Sequence, residues 1–199
     1  MCAEVDPGNW VWKSLQEFEA DRVGSVVPDV FTAYVRIDHR SLPGRRRPER
    51  QLPENTLRIV YDLLSRATTM PEVCWFCVWA RKTLLPARTP YRPVPTSWSI
   101  ANRGGRAGRP HLADPERPIR AHYVYRARLS DVGTLKGFPW SLTPDLWWPD
   151  DRAWCVASEA DFTWTYIGGS RDLVDLLCAN GVLNAVEIRP QDSIIKAGH

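Results

Sequence analysis

The sequence predicts an α+β domain built on a mixed, mainly antiparallel sheet of five to six strands with two to three packed helices. Three observations carry that expectation. Phe162–Ile167 alternates aromatic and β-branched residues with the period of a strand, and only Glu159, Ala160 and Asp161 separate it from the apolar run Ala153–Ser158. Leu57, Val60, Tyr61 and Leu64 recur at helical spacing after Leu52-Pro53-Glu54-Asn55. Glu72–Ala80 is apolar almost throughout, as a central strand covered on both faces would be.

Taken from the N-terminus, Trp10–Ala20 reads as an amphipathic helix with Trp12, Leu15 and Phe18 on one side, beside Glu19. Val30–Asp38 reads as a strand with Tyr34, Arg36 and Asp38 facing one way and Ala33, Val35 and Ile37 the other. Leu42–Arg50 is a solvated basic loop, and the helix beginning near Leu52 and the strand Glu72–Ala80 follow it. Residues 86–118 hold seven prolines around Arg103-Gly-Gly-Arg-Ala-Gly-Arg109, and read as an irregular surface excursion from a single domain spanning 1–199. The strand pattern resumes at Ala121–Leu129. Trp140–Trp148 reads as a proline-punctuated lead into the late hairpin.

Asp150-Asp151-Arg152 after Pro149 suits a turn, because proline presets φ and aspartate bonds its own backbone. The two runs that follow suit an antiparallel hairpin. Gly168-Gly169 would release the backbone and Ser170 would cap the next helix, Arg171–Ala179. That helix places Leu173, Leu176 and Leu177 on one face, with Val174 beside them and Asp172 in the first turn where the dipole favours it. Asn180-Gly181 ends it, and Val182–Ile188 reads as a last strand. The expected core has this helix covering the aromatic side of the hairpin, formed by Phe162, Trp164 and Tyr166.

The string WWPDDRAWCVASEADFTWTYIGGS resembles the closing motif of a group of uncharacterised actinobacterial proteins. That group shares a Trp-Trp-Pro, an Asp-Arg-Ala-Trp-Cys-Val-Ala strand and a Thr-Tyr-(Val or Ile)-Gly-Gly-Ser exit. The likeness extends loosely to Phe31–Ile37 and Cys74–Trp79. It implies a bacterial origin and a shared fold. It carries over no catalytic residue.

At 199 residues the chain suits one domain with a substantial core. The net charge of +3 names no partner, and the 26 basic residues are nearly all arginine, as GC-rich coding produces. Their distribution is uneven. Arg81–Arg128 carries 11 basic residues against two acidic ones, whereas Ser141–His199 carries four against nine. Met1–Gly8 lacks the apolar stretch of a secretory signal, no run is long enough for a membrane span, and five cysteines without a signal fit reduced thiols in the cytoplasm.

Cys74 and Cys77 have redox or zinc spacing, but a strand interior would point them to opposite sides, away from the helix N-terminus that activates a thiolate. No metal or cofactor is therefore expected. His39 and His122 each flank a strand, and a hydrogen-bonded structural role is the simpler reading. Gly168-Gly169-Ser170 could cradle an anion, yet it lacks the lysine of a phosphate loop and the third glycine of a dinucleotide site. Trp140, Trp147 and Trp148 sit among prolines ahead of the hairpin; core burial under its aromatic face is the simpler reading, and they are the candidate partner-binding residues because tryptophan is enriched where proteins meet. The functional expectation is a cytoplasmic bacterial protein-binding module without catalysis. One alternative is nucleic-acid binding through Arg45, Arg46, Arg47, Arg103, Arg106 and Arg109. The other is an enzyme whose acidic group, Asp150, Asp151, Glu159 and Asp161, works with a nearby histidine.

Overall fold

Alternation within each strand decides how this chain packs, because every strand presents residues to two different covers. The structure, a computed structural model, describes residues 8–16, 22–39, 42, 52–79, 92–93, 122–134, 144–158 and 163–194. In order these form α1 (Asn9–Ser14), β1 (Ala33–Asp38), α2 (Glu54–Arg66), β2 (Cys74–Trp79), β3 (Arg92–Pro93), β4 (His122–Ala127), β5 (Leu146–Pro149), β6 (Cys155–Ala157), β7 (Trp164–Gly169), α3 (Arg171–Ala179) and β8 (Ala185–Ile188). Short 3-10 turns occupy Val23–Ser25 and Leu129–Thr134.

Across the described residues the strands make one eight-stranded sheet in the order β3-β4-β2-β5-β6-β7-β1-β8. Every pairing is antiparallel. The α+β class therefore stands, with a larger sheet than expected. The additional strands are β3, inside the proline-rich excursion, and β5, in the stretch expected to be only a lead. In β5, Trp147 pairs with Val156 of β6 on one side and with Phe76 of β2 on the other, and Trp148 pairs with Trp75 of β2. Pro149 is tolerated because it is the last residue of the strand.

One face of the sheet, here the helix face, is covered by α2, α3 and the turn Leu129–Thr134. Ala33, Val35, Ile37, Cys74, Phe76, Trp147, Val156 and Ile167 pack there against Leu57, Val60, Leu64, Leu173, Val174 and Leu177. Trp147 stacks on Phe76 with centroids 6.0 Å apart and meets Trp154 edge-on at 5.3 Å. The Trp154 indole donates to Leu64 O at 3.0 Å, which ties the last turn of α2 to the sheet. The opposite, terminal face carries Tyr34, Cys77, Leu146, Trp148, Cys155, Trp164 and Tyr166. It is covered by Val11 of α1, by Val23, Val26 and Val27, and by Ile194.

This arrangement corrects the expected core. The aromatic side of β7 is buried, but α3 does not cover it. Trp164 and Tyr166 face the terminal segments, while Leu173 and Leu177 of α3 lie over Ile167 on the other face. Leu176, expected on the buried side, is 53% exposed, because the helix rests on Leu173, Val174 and Leu177 alone. The Gly-Gly pair also belongs to β7, where Gly168 opposes Tyr34 and Gly169 opposes Ala33. A Cβ on Gly168 would lie 2.5 Å from Phe31 and 2.9 Å from Tyr34, so the glycine is needed for aromatic rings to approach the strand.

Several expectations hold without change. Ser170 accepts the Leu173 amide at 3.2 Å as the N-cap of α3. In β1, Tyr34 faces one cover while Ala33, Val35 and Ile37 face the other. The predicted helix Trp10–Ala20 is cut short: α1 is Asn9–Ser14, Leu15 is already extended, and residues 17–21 lie outside the described part.

Candidate functional site

Two polar features stand out against the apolar clusters on the two faces of the sheet. The first lies on the helix face, where the strands that supply its apolar core continue into Asp145, Ser158, Thr165 and His39. All four are buried. Antiparallel register explains their meeting, since Ile37 opposes Thr165 and the pairs Val156–Ile167 and Ala157–Tyr166 carry Ser158 alongside Thr165. His39 Nε2 and Thr165 Oγ1 are 2.8 Å apart, and Thr165 Oγ1 and Ser158 Oγ are 2.7 Å apart. The Ser158 amide donates to Asp145 O at 2.7 Å, and the His39 amide to Thr163 O at 2.7 Å. Here a hydroxyl lies between the serine and the imidazole, so Ser158 is not poised against a base as a nucleophile would be. Each hydroxyl can donate once and accept, so the chain satisfies itself in either direction. Its chemistry is that of a buried polar brace.

The second feature lies on the terminal face, at the β8 end of the sheet. Arg36 of β1 stands directly opposite Tyr166 of β7 on one side and Val186 of β8 on the other. The Arg36 side chain is half-buried, and its Nε is buried without a hydrogen-bond partner among the described residues. Tyr166 is 1% exposed. Burial pushes its phenol far above the usual range, while the Arg36 guanidinium and the Trp164 indole pull the other way without prevailing. Tyr166 is therefore a neutral donor throughout the ordinary pH range. The indole of Trp164 lies beside its oxygen, yet no hydrogen bond of good geometry reaches that hydroxyl among the described residues. Tyr34, on the same face, makes the contrast plain. Its hydroxyl accepts the Phe31 amide at 2.8 Å and donates to Pro28 O at 3.0 Å.

Beside this pair lies the last described strand of the sheet. Strand β8 hydrogen-bonds only to β1 among the described strands, and Val186 on it is 53% exposed. Its neighbour Glu187 is held by Arg171 of α3 at 2.7 Å on the helix face.

The residues singled out from sequence are distributed differently. Trp147 and Trp148 are consecutive in β5 and so point to opposite faces, where they are 0% and 1% exposed. Trp148 packs edge-on against Trp10 at 5.8 Å. Both are core residues and offer no surface to a partner in this fold. Trp140 lies outside the described residues. Of the acidic group, Asp150 accepts the Trp75 indole N–H at 2.8 Å. Asp151 accepts from the Thr68 hydroxyl, the Thr69 amide and the Thr69 hydroxyl at 2.8 Å, and from the Ala153 amide at 3.2 Å. Both occupy the β5–β6 turn. The link holding Glu159 and Asp161 leaves from the other end of β6, and those two residues lie outside the described part.

Arg45, Arg46, Arg47, Arg103, Arg106 and Arg109 also fall outside the described residues. Cys74 belongs to the helix-face cluster and Cys77 to the terminal-face cluster, so the two thiols are on opposite sides of the sheet as expected. Burial, reinforced by the charges of Asp151, Asp150 and Glu72, pushes the Cys74 thiol up to about 12. Among the described residues no three His, Cys, Asp or Glu side chains converge as a metal site, and no helix is long and apolar enough to cross a membrane.

Sequence reasoning missed the Arg36–Tyr166 pair. Alternation assigns each residue to a face of its own strand, but nothing in the sequence sets β1 beside β7. No protein-family model matches the chain, and neither a curated protein nor a solved structure matches it.

Proposed function

We propose that the protein is a non-catalytic, cytoplasmic bacterial binding module that takes an extended segment of a protein partner along strand β8. The observation carrying this reading is the outer edge of β8, beside which no described strand lies. Strand β8 closes the sheet order, pairs with β1 alone among the described strands, and presents Val186 at 53% exposure. An exposed strand edge is a template for another chain, with main-chain hydrogen bonds giving affinity and alternate side chains giving specificity. A segment paired there would lay every second side chain over the terminal face, beside Val186 and toward the half-buried Arg36. That asymmetry favours an extended polypeptide with an apolar residue and an acidic residue on the same side. The buried polar chain around Thr165 supports the absence of catalysis, because its hydroxyls are committed to one another.

The test is selection of displayed peptides on the native chain and on a Val186→Lys chain, followed by hydrogen exchange. Lysine at an exposed edge position discourages pairing without disturbing a core. Recovered segments should slow exchange at the amides of Ala185–Ile188 and should fail to bind the lysine variant. Equal capture by both chains, or slowing confined to another part of the sheet, would remove the β8 edge from the function.

A further inference from the structure

On the terminal face two buried donors, Nε of Arg36 and the hydroxyl of Tyr166, lack a hydrogen-bond partner among the described residues. The two residues are directly opposite each other in the β1–β7 register. An unpaired buried donor destabilises a fold, so two on facing residues call for an acceptor. Tyr34 uses its hydroxyl on Pro28 and Phe31, Val186 has no polar atom in its side chain, and among the described residues no hydrogen bond to the Asp38 carboxylate satisfies either donor.

We infer that Arg36 and Tyr166 form a carboxylate-recognition site, the guanidinium supplying the cation and the phenol a second, neutral donor. A planar guanidinium fork matches a planar carboxylate, and a phenolic O–H adds a charge-assisted bond to one of its oxygens. The rest of the face selects for one negative charge and against two. Asp38 lies two residues along the same side of β1, opposite Trp164, and its charge opposes a phosphate dianion more than a carboxylate. Arg36 is half-buried whereas Tyr166 is 1% exposed, so of the pair only the arginine side chain meets solvent in the free protein. Val186 and Trp164 supply apolar borders for whatever carries the carboxylate.

A carboxylate has two sources here, a small free acid or an acidic side chain of a bound segment. The site does not depend on whether β8 accepts a strand, and the experiment separates the two. The indole N–H resonance of Trp164, assigned with Trp164→Phe, is followed by NMR on the full chain during titration with acetate, and then with a short extended peptide containing Val-Glu-Val. Acetate should move that resonance with saturation. Tyr166→Phe, which removes only the hydroxyl, should weaken binding about tenfold while leaving the circular dichroism unchanged. Arg36→Gln should abolish it. If the peptide binds more tightly than acetate, loses that advantage when its Glu becomes Gln, and loses it again on Val186→Lys chains, the source is a polypeptide side chain. If acetate binds and the peptide gains nothing, the site stands as one for small acids while the β8 reading fails. No saturable shift at tens of millimolar acetate, unchanged binding in Tyr166→Phe, or tighter binding of inorganic phosphate than of acetate would each overturn the assignment.

Discussion

Asp151 and Thr69 lie 82 residues apart in the chain, and the Thr69 amide and hydroxyl both donate to Asp151 Oδ2 at 2.8 Å. With the Thr68 hydroxyl and the Ala153 amide added, one carboxylate clamps the β5–β6 turn to the segment joining α2 to β2. It does so beside Arg152, whose φ of 56° places it in the left-handed region and whose guanidinium sits 5.4 Å from the Trp10 ring centroid. Partial burial pushes the Asp151 carboxyl up, but the donors from Thr68, Thr69 and Ala153 together hold it below the usual carboxylate value of 3.8.

A lowered folded pKa stabilises the fold above the unfolded value, and that stabilisation is lost as pH falls through the folded one. Asp151→Ala should cost about 1–2 kcal/mol near neutrality in urea denaturation, a modest figure because the residue is exposed. The gap between variant and wild type should close as pH drops below the ordinary carboxylate range, where the wild type is also protonated. A gap that persists unchanged in acid would mean the turn is held by something other than this charge.

Gly168 tests the close approach of two rings to β7. A methyl group there meets Phe31 at 2.5 Å and Tyr34 at 2.9 Å, and Tyr34 is anchored by two hydrogen bonds of its own. Gly168→Ala should therefore destabilise by about 1–3 kcal/mol, as overpacking does. It should do so although alanine suits a strand better than glycine. Thermal unfolding of the pair measures it, and a neutral or stabilising alanine would show that the rings can yield.

How much of this could be read from the sequence depends on the range of the interaction. Local patterns were legible: the helical spacing of Leu57, Val60 and Leu64, the cap at Ser170, the alternation in β1 and the hairpin of β6 and β7. Pairing between distant strands was not. From sequence Trp147 and Trp148 fit either a core or a partner surface, because they sit between prolines ahead of an aromatic hairpin. They are core because β5 inserts between β2 and β6 and sends one indole to each face. The hairpin's aromatic side was expected under α3 on grounds of sequence proximity, yet a helix that follows a strand can cover either face. The side is decided by which residues it buries, and Leu173, Val174 and Leu177 commit α3 to Ile167's side. Arg36 and Tyr166 are separated by most of the chain, so only the β1–β7 register brings them together.

The cysteines give a prediction with a sharp readout. Cys74, Cys77 and Cys155 are buried, and Cys178 is exposed. Burial pushes Cys74 to about 12 and raises Cys155 well above the usual thiol value. In a Cys2→Ser background, native protein should therefore label at Cys178 alone, and the remaining three thiols only after unfolding. Labelling of Cys74 or Cys77 in the native state, or a bond between them, would contradict their placement on opposite faces of β2.

Thr165 is the position at which the polar brace can be told apart from simple packing. Its hydroxyl stands between His39 Nε2 at 2.8 Å and Ser158 Oγ at 2.7 Å, and the residue is 0% exposed. Thr165→Val keeps the volume and the strand preference but removes both contacts, leaving buried polar partners to be satisfied elsewhere. It should cost about 1–3 kcal/mol. Thr165→Ser keeps the hydroxyl and deletes one methyl group, a loss of about 1 kcal/mol through the small gap it leaves. If hydrogen bonding holds β1, β6 and β7 together at this end, valine is the more damaging change in chemical denaturation. If valine proves the milder one, the apolar contacts of Ile37 and Val156 carry the junction, and the His39–Thr165–Ser158 chain is incidental to stability.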